Sequence, residues 1–174
     1  MKKKKICVVT NPASNLKLAS GIAPVKTYLE KGIPVAIGTD GPASNNCLDM
    51  FKEMFLVTGL QKVVHNDPEA VPAADVLKMA TVNGAYVMGL DNCDILAEGK
   101  CADLIMIDLM QPNMQPIQNI EKNVVYSASK LNVKMTMING RAVYQNGKFK
   151  IGESVEDIYE NANRIAERIL DGKE

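Results

Sequence analysis

The sequence predicts an α/β protein that begins with a parallel sheet and continues with antiparallel strands. Two short β-branched runs, at residues 6–10 and 34–38, flank one helical segment, which is the pattern of a βαβ unit. After residue 89 the pattern changes to short apolar runs separated by turn residues. A length of 174 residues allows one hydrophobic core or two small ones.

The first half of the chain contains three predicted helical regions. In the helix between the two strands, Pro24 fits the first turn and Gly32 the C-terminal end. Apolar residues recur at roughly helical spacing over residues 48–64, so we expect a second helix that is packed on much of its surface. A third helix begins near Pro72, and Thr81 is a candidate N-cap for its continuation to residue 88.

The second half predicts strands and one final helix. The strands are expected at residues 104–107, 124–126, 133–138 and 143–144. Asn139-Gly140 lies between the last two and predicts a hairpin. Residues 155–170 predict an amphipathic helix with Ile158, Ile165 and Ile169 on one face.

Composition and charge exclude several function classes. The 20 basic and 20 acidic side chains give a formal net charge of zero, and aromatic residues are few, so we expect no nucleic-acid partner. The basic residues 2–5 precede an apolar run too short for an export signal, and no stretch is long enough to span a membrane. The four cysteines form no CxxC pair, which indicates reduced thiols in a cytoplasmic protein.

Two polar loops are the candidate functional segments. They occupy residues 11–21 and 39–47, directly after the two predicted parallel strands, where α/β proteins build their sites. Asp40 lies between glycines just past the second strand, where a carboxylate can point into a pocket. Asp-Gly is also a common turn dipeptide, so this residue alone does not establish a site.

The wider pattern in these loops resembles the amidohydrolase superfamily, in particular the branch of cytosine, guanine and S-adenosylhomocysteine/5′-methylthioadenosine deaminases. The run Ser14-Asn15-Leu16-Lys17-Leu18 with Gly21 is similar to the loop after strand seven of that family's barrel. The run Gly38-Thr39-Asp40-Gly41 is similar to the loop after strand eight. Glu98-Gly99-Lys100 and Ala102-Asp103-Leu104 resemble the turn and strand that open the family's small β-sandwich.

This resemblance implies three structural parts. Residues 1–90 would be the last strands and helices of a TIM-type (β/α)8 barrel, residues 91–152 part of the small β-sandwich, and residues 153–174 a C-terminal helix. A barrel of this type takes about 250 residues, so the chain has room only for its last strands. We therefore expect a missing N-terminal half or, in its place, a homo-oligomer.

The resemblance also implies a metal site of which this chain carries one ligand. The family holds one divalent metal, zinc or iron, through several histidines and the strand-eight aspartate, which corresponds to Asp40. Such a metal lowers the pKa of bound water to about 7, and the aspartate takes the proton of that water. The sole histidine, His65, follows a helix at the wrong place for a ligand, so we expect this chain alone to hold no catalytic metal.

Asp40 is accordingly the predicted catalytic and metal-binding residue. Polar residues of the two loops are candidates for substrate binding: Ser14, Asn15, Lys17, Ser44, Asn45 and Asn46. The alternative is that these side chains hydrogen-bond the local backbone, as Ser and Asn do in most loops.

The function implied is hydrolytic deamination of an amino-substituted heterocycle, purine-like in structure, such as S-adenosylhomocysteine or 5′-methylthioadenosine. The chain alone would be inactive. It would be a truncated piece of a longer protein, the product of a disrupted reading frame, or one half of an enzyme whose other half is a separate upstream polypeptide. A parent enzyme acting on a triazine or an imidazolone stays open, because the loops do not fix the substituent. A non-catalytic binding or assembly module derived from the same fold is the alternative from another class.

Overall fold

The computed structural model describes residues 6–172 and confirms the α/β class. The basic residues 2–5 lie outside this range. The described residues contain eight α-helices and six strands, and the strands form two separate sheets. The helices are α1 (Pro12–Lys17), α2 (Val25–Glu30), α3 (Pro42–Asn45), α4 (Met50–His65), α5 (Ala73–Ala80), α6 (Val82–Met88), α7 (Ile120–Tyr126) and α8 (Val155–Leu170). The strands are β1 (Val8–Thr10), β2 (Val35–Ile37), β3 (Leu104–Ile107), β4 (Val133–Ile138), β5 (Arg141–Gln145) and β6 (Lys148–Phe149).

The predicted βαβ unit is confirmed. Strands β1 and β2 pair in parallel, with Val8 opposite Val35 and Thr10 opposite Ile37, and α2 lies between them in sequence. Both strands are shorter than the predicted runs by two residues. All three residues of β2 are buried, as expected for a parallel strand covered by helices on its faces.

The core forms where α4 and α5 pack against β2 and α7 packs against both helices. Val76, Met79 and Met114 are fully buried at its centre, and Val57 and Val125 complete it. Helix α4 is only partly covered, because Phe55 and Val63 are 51% and 80% exposed. The expectation of extensive packing around this helix is therefore correct for one face and wrong for the other.

The strand predicted at residues 124–126 is wrong, because these residues belong to α7. The Asn119 side chain accepts a hydrogen bond from the Lys122 backbone N–H at 2.9 Å and caps this helix. Val124 and Val125 are both buried. Consecutive residues of a strand point to opposite faces, whereas consecutive helical residues can share one core, so a helix buries both valines here.

Two further corrections concern helix starts. The predicted loops contain α1 and α3, each of which begins with a proline, Pro12 and Pro42. Proline is common in loops, yet it is also favoured at the first position of a helix. Thr81 stands at the N-cap position of α6, but its hydroxyl donates to the Leu77 carbonyl at 2.6 Å and caps nothing.

The second sheet is antiparallel, with strand order β3-β4-β5-β6. The predicted hairpin is confirmed: Asn139 and Gly140 both have positive φ, at +47° and +78°, and join β4 to β5. Asn146 and Gly147 form a second hairpin of the same kind before β6, which the sequence prediction missed.

The final helix, α8, has the predicted bounds. The Ser154 side chain accepts a hydrogen bond from the Asp157 backbone N–H at 3.0 Å and caps its first turn. No residue of α8 is buried, and Ile165 and Ile169 are 44% and 69% exposed. Within residues 6–172, no helix combines the length and apolar character needed to cross a membrane.

Replacement of Gly38 by alanine tests the close approach of the two segments that follow β1 and β2. A Cβ on Gly38 would lie 2.5 Å from Asn11 Oδ1 and 3.2 Å from Val9 Cγ1, so a neighbour must move. We expect Gly38→Ala to lower the free energy of unfolding by about 1–3 kcal/mol, measured by urea denaturation. Gly59→Ala is the matched control: nothing lies within 4 Å of its Cβ, and it should stabilise α4 by roughly 0.5–1 kcal/mol. Equal effects of the two changes would contradict the close approach.

Candidate functional site

The candidate site forms at the carboxyl edge of the parallel strand pair. Because β1 and β2 run in the same direction, the segments that follow them leave the sheet at the same edge. Ser14, in α1, and Asp40, after β2, are brought together there. The Ser14 hydroxyl donates to Asp40 Oδ2 at 2.8 Å, across 26 residues of sequence.

Asp40 is held by hydroxyl groups from both segments. Ser44 donates to the same oxygen, Oδ2, at 2.7 Å. The hydrogen bonds from Ser44, from Ser14 and from the Gly41 backbone N–H hold the pKa of Asp40 below its usual range, against the opposing effect of desolvation. The side chain is exposed on its other side. Asp40 is therefore an oriented, ionised carboxylate that faces solvent at neutral pH.

A buried glutamate lies beneath this arrangement and was not among the predicted site residues. Glu53, in α4, is fully buried. Its Oε2 accepts from the Ala13 backbone N–H at 2.9 Å, and its Oε1 accepts from the Asn45 amide at 2.7 Å. One carboxyl group therefore connects α4 to both segments. The sequence signal was a carboxylate on the apolar face that Met54 and Val57 share.

Asn45 is a structural residue of this network. Its Nδ2 donates to Glu53 and to the Thr39 carbonyl, the latter at 2.7 Å. Its Oδ1 accepts from the backbone N–H groups of Cys47 and Leu48 at 3.2 and 3.1 Å. Two donors and two acceptor positions are the full capacity of an amide, so this buried side chain has none left for a substrate. Here the structure favours the alternative of local hydrogen bonding.

The other predicted contact residues, Asn15, Lys17 and Asn46, lie in the same two segments as Ser14 and Asp40. Lys17 Nζ donates to the Ala43 carbonyl at 2.7 Å and to Asn46 Oδ1 at 2.6 Å, so it links α1 to the segment that contains α3. Asn15 lines a small cavity together with Thr10. Substrate contacts by these residues stay predictions.

Three non-glycine residues of the segment after β2 have positive φ. Asp40, Asn46 and Leu48 have φ values of +60°, +69° and +47°. Aspartate and asparagine tolerate this region, whereas leucine rarely adopts it, so the conformation depends on the Asn45 hydrogen bonds that span these residues. Such strain is common at functional sites.

The residues of this site do not form a metal centre by themselves. Within residues 6–172, no set of three or more histidine, cysteine, aspartate or glutamate ligands converges on Asp40. His65 ends α4, roughly 22 Å along the helix axis from its first residue, and is exposed. Within the described residues, Asp40 is therefore a single carboxylate without the further protein ligands that a single-metal site needs, and its role as a metal ligand stays a prediction.

Comparisons with known proteins agree on one family. The model of the amidohydrolase family matches residues 1–143. A 5-methylthioadenosine/S-adenosylhomocysteine deaminase of Dictyoglomus thermophilum is 46% identical over 169 residues, which cover 97% of this chain and 40% of the relative. A 5′-deoxyadenosine deaminase of Methanothermobacter thermautotrophicus is 46% identical over 143 residues, covering 82% and 33% of the two chains. The chain thus spans about 40% or less of the length of these relatives.

Solved structures show the same relationship. An adenosine deaminase of Xanthomonas campestris, solved with bound zinc, superposes with a TM-score of 0.94 at 36% identity, over 98% of this chain and 39% of that one. Atrazine chlorohydrolase TrzN of Arthrobacter aurescens superposes with a TM-score of 0.79 at 23% identity, which is a likeness of fold alone. The superposition at 0.94 confirms the predicted fold, the last part of a (β/α)8 barrel followed by a small sheet and a helix.

Removal of the Glu53 carboxyl group tests whether it holds the two segments together. Glu53→Ala leaves the Ala13 N–H and the Asn45 amide without their acceptor in a buried place. We expect a loss of about 2–4 kcal/mol in the free energy of unfolding, measured by urea denaturation, and a smaller loss for Glu53→Gln. The exposed Glu160→Ala should change it by less than about 0.5 kcal/mol. A Glu53→Ala variant as stable as the parent would contradict this role.

Proposed function

The chain belongs to the amidohydrolase family, and on that premise we propose that it is the C-terminal part of a metal-dependent aminohydrolase. The complete protein would hydrolytically deaminate a purine-like substrate such as S-adenosylhomocysteine or 5′-methylthioadenosine. The observation that carries this proposal is the Asp40 carboxylate, held by Ser14 and Ser44 at the end of β2. The names of the relatives, all adenosine-derivative deaminases, support the substrate class.

The geometry around Asp40 fits a metal ligand. Two hydroxyl donors fix one carboxylate oxygen, and the lowered pKa keeps the group ionised well below neutral pH. An ionised carboxylate can ligate a cation and can also accept a proton from metal-bound water, which are the two roles that the family resemblance implies for Asp40. Ser14 and Ser44 would act as positioning residues, since hydrogen bonds to a ligating carboxylate orient it.

The cofactor of the complete protein is proposed to be one divalent metal, zinc or iron. Zinc is supported by the zinc bound in the Xanthomonas campestris structure. The remaining ligands would come from the part of the complete protein that corresponds to the unmatched part of the relatives. This chain alone is proposed to be catalytically inactive, because one carboxylate does not make a metal centre.

The remainder of the barrel is the proposed partner of this chain. Exposed apolar surface on α4 and α8 supports this proposal. Phe55 and Val63 on α4, and Ile165 and Ile169 on α8, are exposed by 44–80%. Strands β1 and β2 form a two-stranded sheet, in which each strand has one paired edge. Such surfaces associate, either with a complementary chain or with a second copy. A binding or assembly module would use the same surfaces but would not need the Asp40 carboxylate.

The activity test uses complementation. The chain alone should release no ammonia from S-adenosylhomocysteine or 5′-methylthioadenosine. Co-expressed with the unmatched N-terminal part of the Dictyoglomus thermophilum relative, it should release ammonia in a metal-dependent reaction. Asp40→Asn should lower kcat/KM by about 10²–10⁴-fold, and Ser14→Ala or Ser44→Ala by roughly 10–100-fold.

Glu160→Ala in the same complex is the control and should leave activity unchanged, since this side chain is exposed on α8. Activity that survives Asp40→Asn would contradict the proposal, as would a soluble two-part complex that binds zinc in an Asp40-dependent manner and releases no ammonia. The second outcome would favour the binding or assembly module.

The state of association is tested separately. We expect the purified chain to form oligomers or aggregates, because its exposed apolar residues on α4 and α8 have no cover in the described structure. Sedimentation velocity across a concentration series should show a weight-average mass that rises with concentration. A compact monomer of 18.9 kDa at every concentration would contradict this expectation.

A further inference from the structure

A second group of metal-ligating side chains lies away from Asp40, where the polypeptide passes from α6 to the antiparallel sheet. The ligand atoms of Cys93, Cys101 and Asp103 all lie within 4.8 Å of one another, and the three residues are half-buried. Cys93 and Cys101 are not in a CxxC motif, so the sequence alone predicted only reduced thiols. The fold brings them together across the turn that contains Gly99.

We propose that Cys93, Cys101 and Asp103 bind one zinc ion that ties the segment after α6 to the beginning of β3. Two thiolates and one carboxylate are a donor set that selects zinc over magnesium or calcium, which prefer oxygen ligands alone. Tetrahedral zinc with sulfur at about 2.3 Å places neighbouring ligand atoms about 3.8 Å apart, so small side-chain rotations complete the geometry. Binding releases the two thiol protons to solvent, and water takes the fourth position.

The backbone already holds the three ligands in place. The Cys101 N–H donates to the Asn92 carbonyl at 2.8 Å, and the Cys93 N–H donates to the Leu90 carbonyl at 3.1 Å. Asp103 Oδ1 accepts from the Asn139 N–H at 2.5 Å, at the hairpin between β4 and β5. A ligating carboxylate that is itself hydrogen-bonded is oriented for the metal. Binding therefore costs little ordering of the chain.

The three ligands are accessible to an ion from solvent, and they lie in a part of the chain that a metal would stabilise. Cys93 and Asp103 line an open groove between α6 and β3, which gives an ion from solvent a path of entry. Around the three ligands the polypeptide has no regular secondary structure from residue 89 to residue 103. A zinc ion there would fix the connection between the helical core and the antiparallel sheet. This role is independent of Asp40 and of the proposed deaminase activity.

The test is metal binding by the 174-residue chain, purified under reducing conditions, stripped with a chelator and then incubated with excess zinc. We expect one zinc ion per chain to remain after gel filtration. With cobalt as the probe, we expect a sulfur-to-metal charge-transfer band in the near ultraviolet, which reports thiolate ligation whatever the activity. Zinc should also raise the midpoint of thermal unfolding, and removal of zinc by EDTA should reverse that change.

Matched variants test whether the metal binds at Cys93, Cys101 and Asp103 or elsewhere in the chain. Cys93→Ser and Cys101→Ser should each abolish the cobalt band, and Asp103→Asn should weaken zinc binding at least about tenfold. The remaining two cysteines provide the control, because Cys7→Ser and Cys47→Ser should keep both the cobalt band and the binding of one zinc ion per chain. Asp40→Asn should keep them as well. Far-ultraviolet circular dichroism that matches the parent establishes that each variant is folded.

Three results would overturn the proposal. The first is a folded parent chain that shows no cobalt–thiolate band. The second is a band that survives loss of Cys93 and Cys101, or that depends on Asp40. The third is a disulfide between Cys93 and Cys101 that peptide mapping recovers from protein kept in reductant, which would make the pair a structural cross-link instead.

Discussion

The candidate site depends on the burial of one carboxyl group, that of Glu53. Its two oxygens accept from a backbone N–H in α1 and from an amide in α3, so a single side chain of α4 fixes two segments that are otherwise distant in sequence. A buried carboxyl group without partners would be strongly destabilising, and donors without an acceptor would cost about 1–3 kcal/mol each. The segments are thus held where Ser14 and Ser44 both reach Asp40.

This constraint explains why Asp40 is oriented although it faces solvent. An exposed aspartate normally samples several rotamers, but two hydroxyl donors on the same oxygen restrict this one. The donors belong to segments that Glu53 and Lys17 hold together, so their geometry does not depend on a bound ligand. A carboxylate prepared in this way suits a metal site whose other ligands arrive from elsewhere, since no reorganisation is needed when they do.

The sequence predicted what local patterning determines. Strand pairing around α2, the Asn139-Gly140 hairpin and both ends of α8 follow from β-branched runs, a turn dipeptide and helical periodicity. The same reasoning failed where tertiary packing decides. The run 124–126 is short and apolar, a pattern shared by strands and buried helices, and packing against α4 and α5 selects the helix. Asp40 was predicted from its polar loop together with the family resemblance, whereas Glu53 was not predicted because the carboxylate on the apolar face of α4 was given no weight.

The position of α7 also bears on how the chain divides. The family resemblance implies a boundary near residue 90 between barrel and sandwich. Val124 and Val125 of α7 lie after this boundary, yet they pack in one cluster with residues of α4 and α5 that lie before it. Met114 lies fully buried in the same cluster. The antiparallel sheet is therefore attached to the helical core through α7 as well as through the polypeptide between α6 and β3. With two attachments, the sheet and the core cannot separate without exposing buried apolar surface, so we expect the two parts to unfold together.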